Sequence, residues 1–423
     1  MIKSNNPHRS YEDMPAYWRE DALSTGDFEQ DFRRCVNWCA KHGKVPTYHR
    51  QAFGMSVEPY GLDLSSSELD AEAIEQALIQ HAMALVSPAI RHWQWLYSKL
   101  KDEDSRTLLL TVLAYRALGW RYVQMPLDSD AFWQCMSKLS DSEKSNTPLA
   151  KDLQECAPYP MSLFDLEGTS GKVQLYSNAF GIFNEFIYSQ YTLRSRSGVV
   201  RPNPGDVVLD CGACYGGTSL QFADAVGPRG TVVAYEFLPE NIKIFDENIR
   251  INPDLGARVK LMKRPVWTDS GVHMSIEGSG PATQVHIAKG DSVSREAGRS
   301  FESISIDDTV RELGLPRVDF IKMDIEGAEM MALRGAKRSI VKYRPNLAIC
   351  VYHKLIDFYE IPQFIDSLGL GYEFSLQHST VHGDETVIFA TPKEGRSPEA
   401  NMWPRPGLRW IRYKLKKRGK ASW

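Results

Sequence analysis

Two spacings of apolar residues divide the chain. From about residue 15 to 160 they recur at helical intervals. Ser65-x-x-Glu68 has the form of a capping box and opens a Glu-, Ala- and Leu-rich run from Leu69 to Val86 that stops near Pro88. A second helix is expected from about Asp104 to Gly119, with Leu108, Leu109, Val112, Leu113 and Leu118 on its apolar face. From about residue 163 the text changes to short strands. Phe164 to Leu166 and Lys172 to Tyr176, separated by Glu167-Gly168-Thr169-Ser170-Gly171, predict a hairpin, and a helix over Ala179 to Tyr191 follows.

After the turn-forming cluster Pro202-Asn203-Pro204-Gly205-Asp206, apolar runs alternate with helical text. Strands are expected at Val207–Leu209, Thr231–Phe237, Val259–Met262, Val318–Met323, Leu347–Tyr352, Tyr372–Leu376 and Thr386–Ala390. Helices are expected at Thr218–Val226, Pro239–Ile251, Ala328–Lys342 and Asp357–Leu368. Such alternation implies a mainly parallel α/β sheet covered on both faces. The last two strands are joined by too short a segment for a crossover helix, so one antiparallel strand is expected near the C-terminal edge. The polar, Gly/Ser-rich stretch 271–300 reads as an insertion or mobile loop.

The chain has 423 residues, which favours two domains over one core. A net charge of −3 gives no basic surface on which to expect nucleic acid. No run of about 18 apolar residues predicts a membrane span, and the polar N-terminus does not read as a signal peptide. Seven scattered cysteines fit reduced thiols and a cytoplasmic protein.

The densest chemistry lies in Val207-Val208-Leu209-Asp210-Cys211-Gly212-Ala213-Cys214-Tyr215-Gly216-Gly217-Thr218, a buried strand, an acid and a glycine-rich turn into a helix. Ligands of open α/β sheets bind at the carboxyl ends of such strands, and Gly212 and Gly216 would let backbone approach one closely. A dinucleotide enzyme wants G-x-G-x-x-G so that pyrophosphate meets the helix N-terminus. Here the spacing is Asp210-x-Gly212-x-x-x-Gly216. An acid ahead of the first glycine repels pyrophosphate and suits a ligand with an ammonium group, which points to S-adenosyl-L-methionine. Glu236, at the end of the next strand, can accept hydrogen bonds from both ribose hydroxyls. Adenine is placed by topology near Val266, Trp267, Thr268 and Asp269. The bland alternative is a tight strand–helix turn without a ligand.

Asp210-Cys211-Gly212-Ala213, Tyr235-Glu236-Phe237-x-Pro239-x-Asn241 and Ile321-Lys322-Met323-Asp324-Ile325-Glu326-Gly327-Ala328-Glu329 resemble the FkbM-type methyltransferases. The resemblance spans about residues 165 to 393. It implies a Rossmann-like class I methyltransferase sheet, S-adenosyl-L-methionine as cofactor, and methylation of a hydroxyl on a sugar, glycolipid or secondary metabolite. On this basis Asp210, Gly212, Ala213, Tyr215, Gly216, Glu236, Phe237 and Trp267 are the expected cofactor residues. The acceptor is expected to be a small molecule or glycan. N-methylation of a small molecule and a non-catalytic S-adenosylmethionine-binding protein are the alternatives.

O-methylation needs the acceptor's proton removed, so a positioned base or a metal ion would help. Asp324, His353 and His378 fall at or just past successive strand ends, and Glu326 stands beside Asp324. Asp324, His353 and Glu326 are the candidate catalytic residues, with no resident metal assigned. Asp324 could instead cap the helix starting near Ala328. His353 could be a satisfied strand-end residue, and Asp324, His353 and His378 could form a two-histidine, one-carboxylate metal set.

Cys211-x-x-Cys214 lies inside the glycine turn and reads as structural rather than redox-active. Cys35 and Cys39 read as core, as do Trp93, Trp95, Trp120, Tyr122 and Trp133, whose other reading is sugar stacking. From Arg405 to Trp423 there are eight Lys/Arg residues and no acids, a pattern that fits a solvated terminus or weak contact with an anionic membrane surface. The expected organisation is a helical region at 1–162 acting in acceptor recognition or as a lid, a hairpin and connecting helix at 163–200, the methyltransferase domain at 201–395, and a basic tail at 396–423.

Overall fold

A computed structural model describes residues 24–43, 61, 70–168, 171–195, 198–277, 284–287 and 301–393. The expected capping box at Ser65 and Glu68 and the basic tail lie outside them. Helix Ala71–Val86 begins instead at Asp70, whose carboxylate accepts from the Ala73 amide at 2.8 Å. Helices Phe28–His42 and Glu103–Leu118 start the same way on Asp27 and Asp102. A carboxylate there satisfies one of the amides that a first helical turn leaves open.

The strands, in chain order, are β1 Ser162–Glu167, β2 Lys172–Ser177, β3 Leu193–Ser195, β4 Gly198–Val200, β5 Val207–Cys211, β6 Thr231–Tyr235, β7 Val259–Met262, β8 His273–Glu277, β9 Gln284–Ile287, β10 Phe301–Glu302, β11 Phe320–Met323, β12 Asn346–Cys350, β13 Tyr372–His378 and β14 Thr386–Pro392. Seven form one sheet in the order β13-β14-β12-β11-β5-β6-β7. Its neighbours are parallel from β12 to β7, and β14 runs antiparallel to both β12 and β13. The sheet reverses around β5 and β11, and there the carboxyl ends of adjacent strands open a crevice.

Each face of the sheet carries its own core. Leu209, Ile321, Ile349 and Ile388 share one with the N-terminal helices, through Leu109, Val112 and Leu113. Helix Ile90–Lys99 closes this side, with the Trp93 ring edge-on to Tyr359 at 5.0 Å. Trp93 is fully buried, and Trp120 and Trp133 nearly so, which fixes these aromatics as core. Fully burying a large apolar side chain is worth roughly 1.5–3 kcal/mol. Val208, Phe320, Ala348 and Phe389 face the other way, into a core with helices Asp130–Ser145 and Gly217–Val226 and the β1–β2 hairpin.

Three elements depart from the sequence reading. The stretch expected as a loop contains β8 and β9, which join β10 in a three-stranded antiparallel sheet; Met274, on β8, is fully buried. The expected helix Ala328–Lys342 is two helices, Glu329–Arg334 and Lys337–Tyr343. Asp307 causes the break by accepting the Arg338 and Ser339 amides at 3.0 and 2.7 Å, giving the second helix its own start. The expected helix after the hairpin is α-helical over Ala179–Ile182 and then π-helical over Phe183–Tyr188. That wider turn lies against the start of helix Gly217–Val226. The Gln221 amide donates to the Glu185 carbonyl.

Candidate functional site

The glycine turn is built from the inside. Asp210 and Lys322 are register partners on β5 and β11, and both side chains are buried. The Lys322 ammonium lies 3.2 Å from Asp210 Oδ1, donates to the Gly212 carbonyl at 2.6 Å and stands 5.1 Å from the Tyr191 ring centre. Asp210 Oδ2 accepts from Thr218 Oγ1 at 2.8 Å and Ser219 Oγ at 2.6 Å. Asp210 therefore ties the turn to its helix and to β11. Gly212 has φ +85°, and a side chain there would collide with the Asp324 carbonyl. The close approach it permits is of strand to strand, where the sequence suggested ligand. Gly216, also left-handed, packs on the Phe245 ring. Ala213 is buried against Ala234 and Phe245, and Tyr215 is buried beside Leu149, Met161 and Ile244.

Glu236 follows β6. Its Oε1 accepts the Phe237 and Leu238 amides at 2.7 and 2.8 Å, and Oε2 accepts from Asn241 Nδ2 at 3.1 Å. Burial raises its pKa against the pull of those donors. Phe237 is half-buried, its ring edge-on to Phe301 at 5.0 Å. Trp267 is half-buried beyond β7, its amide donating to Ile304 at 3.0 Å.

Sequence reasoning missed Glu185, on the π-helical turn. Its carboxylate lies against Gly217, where a side chain would overlap it, and accepts no hydrogen bond from the described residues. Burial pushes its pKa up to about 8; Lys322 pulls down and Asp210 pushes further up. The turn thus gathers Asp210, Glu185 and Glu236 around a single described ammonium, Lys322. A ligand that brings positive charge and hydroxyl donors fits such a set; a pyrophosphate does not. A lysine in the middle of Ile321-Lys322-Met323 was the available signal, because a strand lysine this deep must find a carboxylate.

A second cluster sits one strand along. Asp324 Oδ2 accepts from the Tyr191 hydroxyl at 2.7 Å and Oδ1 from the Tyr352 hydroxyl at 3.1 Å. It does not cap the following helix, whose N-cap is Ala328 without a side-chain bond. Burial would raise the Asp324 carboxyl, but Lys322, His353 and the Tyr191 hydroxyl hold it below the usual carboxylate range. His353 Nε2 lies 3.5 Å from Asp324 Oδ1 and 3.4 Å from Glu326 Oε2, and Nδ1 lies 3.1 Å from Glu329 Oε1. Burial would lower His353; Glu326, Glu329 and Asp324 push it instead to about 11. The three carboxylates thus favour its protonated form and make it a poor proton acceptor. Glu326 reaches His353 from a left-handed conformation, φ +56°, of the kind that costs about 1 kcal/mol or more outside glycine.

Behind Tyr352 stands Glu385, with Oε1 3.4 Å from the Tyr352 hydroxyl and Oε2 3.3 Å from Gln190 Nε2. Burial and the Asp324 charge raise its pKa to about 8. His378 lies elsewhere. It is buried, with Nδ1 2.8 Å from Thr386 Oγ1 and Nε2 2.7 Å from the His382 carbonyl, and burial lowers its pKa to about 3. The alternative metal set with His378 is therefore not assembled. Cys211 is fully buried and its thiol pushed well up by that burial, which rules out easy thiolate chemistry.

A seven-stranded sheet with one reversed strand inside its edge, and a glycine turn at the switch point, defines a class I methyltransferase fold. Residues 210–374 match the family model described as the methyltransferase FkbM domain. Over these residues the chain resembles an FkbM-type methyltransferase domain. No curated protein matches the chain. Among solved structures, methyltransferase FkbM from Methylobacillus flagellatus KT is similar over 74% of this chain and 61% of its own, at 19% identity and TM-score 0.45. Aeropyrum pernix fibrillarin, solved with natively bound S-adenosyl-L-methionine, is similar over 54% of this chain and 94% of its own, at 15% identity and TM-score 0.28. A putative O-methyltransferase from Klebsiella pneumoniae is similar over 44% and 73%, at 14% identity and TM-score 0.28. Among the described residues no helix is long and apolar enough to cross a membrane.

Proposed function

We propose that the protein transfers a methyl group from S-adenosyl-L-methionine to a hydroxyl of a sugar, glycolipid or secondary metabolite. The observation that carries this reading is the placement of Asp324 beside the glycine turn: its own carbonyl touches Gly212, and its carboxylate is oriented by Tyr191 and Tyr352. When bound, the cofactor supplies an activated methyl on a sulfonium. Glu185 receives the ammonium end, and Glu236 turns from its own amides toward the ribose hydroxyls. Asp210 acts through Lys322, holding the turn in shape. Phe237 and Trp267 flank the adenine side.

Asp324 would meet the incoming acceptor hydroxyl and take its proton as the methyl is transferred. His353 keeps Asp324 and Glu326 in place. The helical region acts from the far face of the sheet, through Arg116, whose guanidinium holds the Tyr352 and Gly383 carbonyls at 2.6 and 3.1 Å. The test is incubation with methyl-labelled cofactor and a panel of glycans, small alcohols and amines. Label should enter hydroxyl acceptors. Label entering only amines would overturn the reading.

A further inference from the structure

We propose that Asp324, Glu329 and His353 bind a divalent cation at the carboxyl ends of β11 and β12. One ligand atom from each lies within 4.8 Å of the others. Around a six-coordinate ion with bonds near 2.1 Å, such atoms stand about 3 to 4.3 Å apart. An ion would draw the three ligand atoms closer together to reach this geometry.

Two independent observations point to a ligand here. Glu329 is fully buried, and while its Oε1 accepts the Ile325 amide at 2.8 Å, its Oε2 has no hydrogen-bond partner. The His353 side chain is only 7% exposed, yet neither ring nitrogen makes a hydrogen bond; both rest at ion-pair separation from carboxylates. Unpartnered buried polar atoms are costly; a metal ion would take Glu329 Oε2 and one His353 ring nitrogen, leaving the other ring N–H to a neighbouring carboxylate.

Charge leads to the same place. Three carboxylates, Asp324, Glu326 and Glu329, converge on one imidazole, and the nearby Lys322 ammonium is directed at Asp210 and Gly212. A divalent cation in place of the imidazole's proton offsets the excess. One nitrogen and two carboxylate oxygens suit Mn²⁺, Fe²⁺ or Zn²⁺ better than Mg²⁺, which prefers oxygen alone. The remaining positions are open to water and an acceptor hydroxyl, whose acidity the ion would raise. That last role rests on the proposed methyl transfer; the binding itself does not.

The experiment is a Mn²⁺ titration of the full chain without donor or acceptor, following the free-ion signal by electron paramagnetic resonance. One Mn²⁺ should bind per chain, and Glu329→Gln and His353→Gln should each weaken it at least 10-fold. Competition by Zn²⁺ on the unaltered protein keeps the test valid if a variant fails to fold: Zn²⁺ should displace the Mn²⁺. Absence of binding at millimolar Mn²⁺, undiminished binding in both folded variants, or no displacement by Zn²⁺ would overturn the site. Methyl transfer would remain standing, because the labelled-acceptor panel tests it separately.

Discussion

Replacing Glu185 by glutamine tests whether the turn was built for a cation. Burial sets this carboxyl near pH 8, among Asp210, Lys322, Cys214 and Glu236. With a pKa of about 8, roughly 1% is ionised at pH 6, about 10% at pH 7 and half at pH 8. If the cofactor's ammonium selects the ionised form, affinity for S-adenosylhomocysteine should rise roughly tenfold from pH 6 to 7 and about fivefold more to pH 8. Glu185→Gln should flatten this slope and bind roughly 10- to 100-fold more weakly at pH 8, the scale of one charge-assisted hydrogen bond. Stability should move oppositely. An acid whose pKa is raised on folding favours the fold most below pH 4.5, loses that contribution as pH climbs toward 8, and changes little beyond. The variant should therefore gain on the parent above pH 8, by at most roughly 4–5 kcal/mol. Calorimetry at pH 6, 7 and 8, with urea unfolding alongside, reads both. A flat profile in the parent, or an unchanged slope in the variant, would refute the assignment.

Lys322→Met should leave the Asp210 carboxylate buried without its cation, at a cost of about 3–5 kcal/mol in urea unfolding; a loss below 1 kcal/mol would mean that the pair does not hold the turn. Asp324→Asn keeps the shape and one of the two oxygens that accept from Tyr191 and Tyr352, so cofactor affinity and melting temperature should change little while turnover falls about 100-fold. Near-normal turnover would retire Asp324 as proton acceptor.

Much of the sheet was legible because buried parallel strands are near-continuous apolar runs: β5, β11 and β12 were found within a few residues of their ends. The reversed strand was legible from the short connection between Leu376 and Thr386. The β8–β10 sheet was not, since its strands are short and set in Gly/Ser-rich text that carries no sustained period. Nor was the break at Asp307, because the capping carboxylate comes from about 30 residues upstream of the amides it holds. The glycine turn was recognised from its spacing, but not what fills its interior: Lys322, which pairs with Asp210, and the carboxylate of Glu185 lie 112 and 25 positions from Asp210 in sequence. The Asp-Ile-Glu-Gly-Ala-Glu stretch located the second cluster. Which of its carboxylates meets His353, and that Tyr191 orients Asp324, depend on the left-handed turn at Glu326 and on the π-helical segment, neither of which leaves a periodic trace.

The central claim is that the glycine turn takes S-adenosyl-L-methionine rather than a dinucleotide. Calorimetric titration of the full chain at pH 8, once with S-adenosylhomocysteine and once with NADH, tests it most directly. Saturable binding of one S-adenosylhomocysteine per chain, a matching rise in melting temperature and no heat from NADH are predicted. Binding of NADH with none of S-adenosylhomocysteine would contradict the account.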